Sequence, residues 1–301
     1  MIIPLESCTA AQVANRLNEV REEGGVVALG RVLTLIVMTD HGGVEDAIEL
    51  ANNASREHPA RVIVIEDCRN SADDGLDAEI RVGADAGASE VVVLKPRGDA
   101  GRELDTLITP LLLPDTPIVA LWLGDTPANP AASLIGQMAT RRITEAVNNG
   151  LPALRELATH YQPGDTDLSW ARITLWRALL AAQFDQPLPT PVSVTITGNS
   201  ERPATHLLAG WLRDRLNVPV EIAPIEAVEL RTVRVDFEND HLVIDREPGS
   251  ATATISRPGG IAQSTSLAVR TLGDCLMEDL RRLDADVTYA AALAAAALAE
   301  V

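Results

Sequence analysis

The sequence predicts an α/β protein. An N-terminal doubly wound, mostly parallel sheet domain is followed by a smaller C-terminal α/β (α+β) domain with a β-meander and terminal helices. Three observations predict it. Apolar, β-branched runs at 26–38, 61–65, 90–94 and 118–123 alternate with helix-period stretches through the first half. Unbroken apolar strands belong to sheets covered on both faces, and alternation with helices makes such sheets parallel. After residue 190 the pattern changes to period-two segments separated by turn pairs, the mark of antiparallel hairpins. Finally, 46% of the 301 residues are hydrophobic but only 3% are aromatic, so the cores must be built from Leu, Val, Ile and Ala.

In chain order, Ser7 or Thr9 caps a helix to about Arg21 with Val13, Leu17 and Val20 on one face, and Gly24-Gly25 ends it. Residues 26–38 form a buried strand. The loop Asp40-His41-Gly42-Gly43 leads into a helix of about 44–56, which His58-Pro59 stops. Residues 61–65 form a second strand, and strands at 77–81 and 90–94 bracket the glycine-rich segment 83–87. A helix at 104–113, a turn at 114–117, a strand at 118–123 and helices at 134–147 and 151–161 complete the half. Ligands of such sheets bind at the carboxyl ends of strands, so the loop 40–43 is the first place to look for a nucleotide. It is neither G-x-G-x-x-G nor a P-loop, and Asp40, Glu45 and Asp46 crowd the helix N-terminus a pyrophosphate needs. It reads as an ordinary turn. The segment 83–87 precedes a strand and reads as a tight connection. Arg56, Arg61 and Arg81 are the candidates for an anion site; the plainer reading pairs them with carboxylates on a solvated face. His58 reads as a dipole-favoured residue at a helix end.

Pro163-Gly164 breaks the chain, and Asp165 or Thr166 caps a helix of about 167–184 that is apolar on nearly every side except at Arg172 and Arg177. The plain reading is a central core helix. The functional reading is a partner-contact cluster of Asp165, Asp167, Arg172, Trp176 and Arg177, because Trp and Arg concentrate binding energy at interfaces. The domains divide as 1–163 and 164–301, with the linker-like QPLPTP at 186–191 as the alternative boundary. Beyond it, a strand at 192–197, a helix at 203–216 and a strand at 218–222 make a second β-α-β unit. Segments at 229–237, 241–245 and 251–256 form the meander, 267–272 a last strand, and 275–283 and 287–298 terminal helices.

With 43 acidic and 25 basic residues, the net charge of −18 excludes a phosphate backbone or an anionic membrane surface as partner. Cys8, Cys68 and Cys275 lie far apart, and the five His show no metal-type spacing, so no cofactor and no metal are expected and the context is a reduced cytoplasm. The N-terminus lacks the features of a signal peptide, and no apolar run reaches the roughly 18 residues a bilayer span needs. No catalytic constellation is readable, and the chain is not expected to be an enzyme.

The run P-G-D-T-D-L-S-W-A-R-I-T-L-W-R at 163–177 resembles the signature of the OpcA family, the glucose-6-phosphate dehydrogenase assembly proteins. GRVLTLIV at 30–37, NNASREHPARVIVI at 52–65, DAEIRVGADAGASEVVVL at 77–94, TPLLLPDTPIVALW at 109–122, RRIT at 141–144, AGWL at 209–212 and CLMEDLRRLDAD at 275–286 are similar to blocks of that family in the same order. Two details depart from it. The strand at 118 ends Trp122-Leu123-Gly124, where the family often has two Trp and a Pro, and Ala132-Ser133 replaces an Asp-Pro. The resemblance implies a non-catalytic assembly factor and allosteric activator of glucose-6-phosphate dehydrogenase, acting in the oxidative pentose phosphate pathway by protein–protein binding. The alternative is a sugar-phosphate- or nucleotide-binding enzyme or sensor using the carboxyl end of the N-terminal sheet.

Overall fold

The apolar runs of the first half become the middle of an eight-stranded sheet in the computed structural model, which describes residues 1–24, 32–68, 71, 73–82, 90–148, 150–185, 188–226 and 230–297. Two compact units emerge. The first comprises Met1–Glu145, Gln162–Thr166 and Leu272–Ala285; the second comprises Ala146–Tyr161, Asp167–Thr271 and Asp286–Val301.

The first unit opens with β1 (Ile2–Leu5), α1 (Ala10–Gly24), β2 (Leu33–Thr39), α2 (Val44–Ser55), β3 (Ala60–Glu66), β4 (Gly75–Arg81) and β5 (Glu90–Arg97). It continues with α3 (Leu104–Ile108), β6 (Ile118–Trp122), α4 (Leu134–Met138) and β7 (Arg141–Thr144). The chain then enters the second unit with α5 (Gly150–His160) and returns for β8 (Asp165–Asp167). The strand order is β1-β4-β5-β3-β2-β6-β7-β8. From β5 through β7 every pairing is parallel, while β4 and β1 are antiparallel. The central strands are covered on both faces, which is why Leu35, Ile36, Val37, Val62, Ile63 and Val64 are fully buried without alternation.

Several elements differ from those the sequence predicts. The predicted helix 134–147 stops after five residues, and Arg141–Thr144 instead pairs with β6, Val119 opposite Arg141. Tertiary partners decide this: Arg141 bonds Asp279 at 2.5 Å and Arg142 pairs with Asp165, so both buried charges find a carboxylate in that place. The edge strand β1 carried no sequence signal, since only its register against β4 makes Ile2–Leu5 a strand. Residues 26–31 of the first predicted strand and the segment 83–87 lie outside the described residues.

In the second unit the predicted single helix 167–184 is two, α6 (Leu168–Arg172) and α7 (Thr174–Phe184), broken at Ile173, whose φ and ψ are −94° and 5°. Then follow β9 (Pro191–Gly198), α8 (Pro203–Leu216), β10 (Val220–Pro224), β11 (Thr232–Phe237), β12 (His241–Asp245), β13 (Thr252–Ser256) and β14 (Gln263–Ser266). Their sheet runs β10-β9-β11-β12-β13-β14; β9 and β10 are parallel across α8, and the rest is an antiparallel meander. The last strand therefore precedes the predicted 267–272, where the chain instead turns into α9 (Leu272–Leu280), a helix of the first unit. Helix α10 (Val287–Ala297) closes the second unit. Burial alternates along β9, β11 and β12, and Val194, Ile196, Val233, Val235, Leu242 and Ile244 meet Leu207, Leu208 and Leu212 of α8 in one core.

The Ala-rich tail has a packing reason. A Cβ on Gly210 would fall 2.1 Å from the Ala292 carbonyl oxygen and 3.0 Å from the Ala296 Cβ, so α8 and α10 touch backbone to backbone. Small residues on both helices permit that approach.

Candidate functional site

The stretch 161–177 was the strongest sequence signal, and it is held by a buried polar frame. Gly164 has a φ of +98°, and a side chain there would meet the Thr140 carbonyl oxygen at 2.8 Å. Its own carbonyl accepts from the Arg142 backbone N–H at 2.9 Å. The Arg142 guanidinium pairs with Asp165, donates to the Pro163 carbonyl at 2.6 Å and to the Ala139 carbonyl at 3.0 Å. Asp165 also accepts from the Gln162 N–H at 2.8 Å. Asp167 caps α6 by accepting from the Ser169 N–H at 2.8 Å, and its other oxygen accepts from the Ala146 N–H at 2.9 Å. Both aspartates are buried, at 5% and 1% exposure.

The tryptophans are buried too, Trp170 at 4% and Trp176 at 3%. Trp170 donates from Nε1 to Asp286 at 2.8 Å, and the Arg177 guanidinium stacks 3.5 Å over its ring while bonding the Thr174 hydroxyl at 2.8 Å. Arg172 and Trp176 turn instead into a cavity of the second unit. Of the five residues expected to meet a partner, then, Arg172 and Trp176 share a cavity, Arg172 and Arg177 are half-buried, and Asp165 and Asp167 act as frame and cap. The exposed side of α7 carries Leu175, 38% exposed, with Ala178, Ala181 and Ala182.

A second candidate lies at the carboxyl end of the parallel sheet. Because β3 and β6 lie on opposite sides of β2, the crevice where fold analogy places a nucleotide opens above β2. A cavity of about 520 Å³ lies there, walled by Met38, Ile65, Trp122 and Ile135. Its charged lining is Asp40, Glu66, Asp67 and Asp125 against Arg102. Asp40 ties the loops after β2 and β6 together by accepting from the Asp125 N–H at 3.1 Å. A side chain on Gly124 would strike that carboxylate at 2.0 Å. Glu66 accepts from the Gly42 N–H at 2.7 Å and contacts His41 at 2.8 Å and Lys95 at 3.0 Å. Burial pushes its carboxyl upward, but the Gly42 bond and the Lys95 and His41 charges outweigh this and hold it below the ordinary range. This lining does not fit a pyrophosphate.

His41, Glu66 and Cys68 present three donor atoms within 4.8 Å of one another, a grouping no sequence spacing announced because it joins two strand ends. Two facts weigh against a cation there. Lys95 already sits on Glu66, and burial together with the Glu66 charge pushes the Cys68 thiol up, away from the thiolate a metal needs. The arginines named for an anion site do not line the cavity. Arg61, at the start of β3, donates to the Leu111 carbonyl and lies 3.4 Å from Glu90. Arg81 is gripped by Glu45 at 2.5 and 2.8 Å and by Glu79. Arg56 is exposed just after α2.

Two solved structures share the fold over most of the chain. One is a variant of KijD10, a 3-ketoreductase from Actinomadura kijaniata, at 10% identity with a TM-score of 0.50, covering 88% of this chain and 95% of that one. The other is an NAD binding oxidoreductase from Klebsiella pneumoniae, also at 10% identity and a TM-score of 0.50, with 88% and 94% covered. No curated protein matches in sequence. Residues 51–159 match the family model described as the glucose-6-phosphate dehydrogenase subunit N-terminal domain, and residues 163–293 match its C-terminal domain. With both domains present in order, the chain belongs to the OpcA family of glucose-6-phosphate dehydrogenase assembly proteins.

Proposed function

We infer that this chain is a non-catalytic assembly subunit and allosteric activator of glucose-6-phosphate dehydrogenase, acting in the cytoplasm at the entry to the oxidative pentose phosphate pathway. The observation that carries the reading is the ordered match of both family domains, which together span most of the chain. The acidic crevice supports it by making the dinucleotide chemistry of the fold's oxidoreductase relatives a poor fit. Activation follows from differential binding: a subunit that binds the active oligomer better than the inactive form shifts the equilibrium by that difference, typically about 1–3 kcal/mol.

Within this reading the partner contact runs along α7. Support comes from its exposed apolar side at Leu175, Ala178, Ala181 and Ala182, adjoined by the half-buried Arg172 and Arg177. Trp176 is a buried residue of that helix, and Asp167 caps the preceding α6. We place the division between functional domains at 1–163 and 164–301, supported by family matches that end at 159 and resume at 163. Light scattering on a mixture with the cognate dehydrogenase tests the reading: a species heavier than either component is expected, and two unchanged masses would refute it. Among the described residues no helix is long and apolar enough to cross a membrane.

A further inference from the structure

The crevice above β2 lies within the first unit and joins two kinds of lining. Its walls are apolar: Met38, Ile65, Leu104, Trp122, Leu134 and Ile135 surround the space of about 520 Å³. Its charges divide into matched and unmatched. Glu66 is matched by Lys95 at 3.0 Å, with His41 beside it at 2.8 Å. Arg102 is matched by Asp99 at 2.8 Å, three residues back along the chain. Asp67 engages a partner of its own. Asp40 and Asp125 are left. The Asp40 carboxylate accepts the Asp125 N–H at 3.1 Å, and among the described residues neither carboxylate meets a cation. Both residues are exposed, and the N–H bond between them sets them side by side on the lining.

The surroundings do not cancel this pair. Helix α2 starts just beyond Asp40, but Glu45 and Asp46 in its first turn already answer the positive end of that dipole. Thr126 also lines the crevice, and its hydroxyl oxygen is buried without a hydrogen-bond partner. A hydroxyl oxygen accepts from an ammonium or guanidinium N–H as readily as a carboxylate does in geometry. The cavity of about 470 Å³ in the second unit offers no comparable surplus of charge. It is lined by Arg172, Arg202, Arg246 and Arg270, of which Arg172, Arg246 and Arg270 are already engaged. Small-molecule sites are concave and mostly apolar, with a few polar groups that select the ligand. In the crevice above β2 the selecting groups are two unmatched carboxylates.

We propose that this crevice binds an organic cation, an alkyl- or arylalkyl-amine or guanidine, with the positive group at Asp40 and Asp125 and the apolar stem against Trp122 and Ile135. The walls hold the stem, and the carboxylates admit a cation while repelling an anion of the same shape. This goes beyond the assembly role, and its test contains the chain alone, so either reading can fail without the other.

The test is calorimetric titration of the full chain with phenethylamine and with agmatine, alongside the neutral phenylethanol and the anionic phenylpropionate. At least one of the two cations should bind, more weakly as salt rises, and the neutral and anionic compounds should not. Asp40→Asn keeps an oxygen for the Asp125 N–H, and Asp125 is exposed, so both substitutions remove charge without removing a structural bond. The doubly substituted chain should bind the cation at least about tenfold more weakly with the melting temperature unchanged. If that chain does not fold, Asp125→Asn alone carries the comparison, with a weakening of at least about threefold expected. Absence of binding by both cations up to millimolar concentration would overturn the proposal. So would phenylethanol binding as tightly as phenethylamine, or full affinity in the folded variants.

Discussion

Asp165 and Asp167 show how one residue type can read as contact in sequence and serve as frame in structure. Both are buried: Asp165 pairs with the buried Arg142, and Asp167 caps α6. Removing one partner of a buried pair leaves the other charge uncompensated, so Asp165→Ala should lower unfolding free energy by about 3–5 kcal/mol in a denaturant titration. A loss under 1 kcal/mol would show that water replaces the carboxylate. A second residue sets a pH dependence. His206 is 5% exposed and its Nε2–H donates to the Ser200 carbonyl at 2.7 Å; burial lowers its pKa below the ordinary 6.5. The unfolded chain then binds the proton more tightly than the folded one, so its contribution is complete above pH 6.5 and declines as pH falls toward the folded value. The melting temperature should drop on acidification through that range, and His206→Gln should make the drop shallower. Identical pH profiles would contradict this assignment.

At the scale of elements, what the sequence displayed was burial, and what it concealed was pairing. The strands β2, β3, β5 and β6 were legible because both faces are covered and the apolar run is continuous. Helix α8 was legible to the residue because Pro203 starts it and Asn217, at φ 53°, ends it. By contrast β7 reads as helix locally and becomes a strand only beside β6 and with Asp165 and Asp279 in place. The fold analogy that pointed to the crevice above β2 located a real cavity, and Asp40 in the sequence already gave its acidic sign. The arginine-lined cavity was not readable, since residues 172, 202, 246 and 270 share no spacing pattern. Two predictions belong here. Gly210→Ala places a methyl against the Ala292 carbonyl and should cost about 1–3 kcal/mol by pushing α8 and α10 apart; thermal melts with unchanged or raised stability would contradict that contact. Leu175→Glu, on the exposed side of α7, should leave the melting temperature within a degree or so. It should weaken the complex with the dehydrogenase by about 1–2 kcal/mol, and unchanged affinity would move the interface elsewhere.

At the scale of the whole molecule, the crevice at the carboxyl end of the parallel sheet carries the wrong charge for a dinucleotide. Asp40, Glu66, Asp67 and Asp125 occupy the place where a pyrophosphate would bind. The second unit gathers arginines and keeps an exposed helix side. That combination fits a protein that works by binding. The most direct test of the central claim is a titration of the chain into its cognate glucose-6-phosphate dehydrogenase, following NADP⁺ reduction while complex mass is tracked by light scattering. The account predicts a heavier complex whose formation raises kcat or lowers KM and saturates at a fixed ratio, with no NADP⁺ reduction by the chain alone. Unchanged mass and unchanged kinetics at saturating chain, or turnover by the chain without the dehydrogenase, would contradict it.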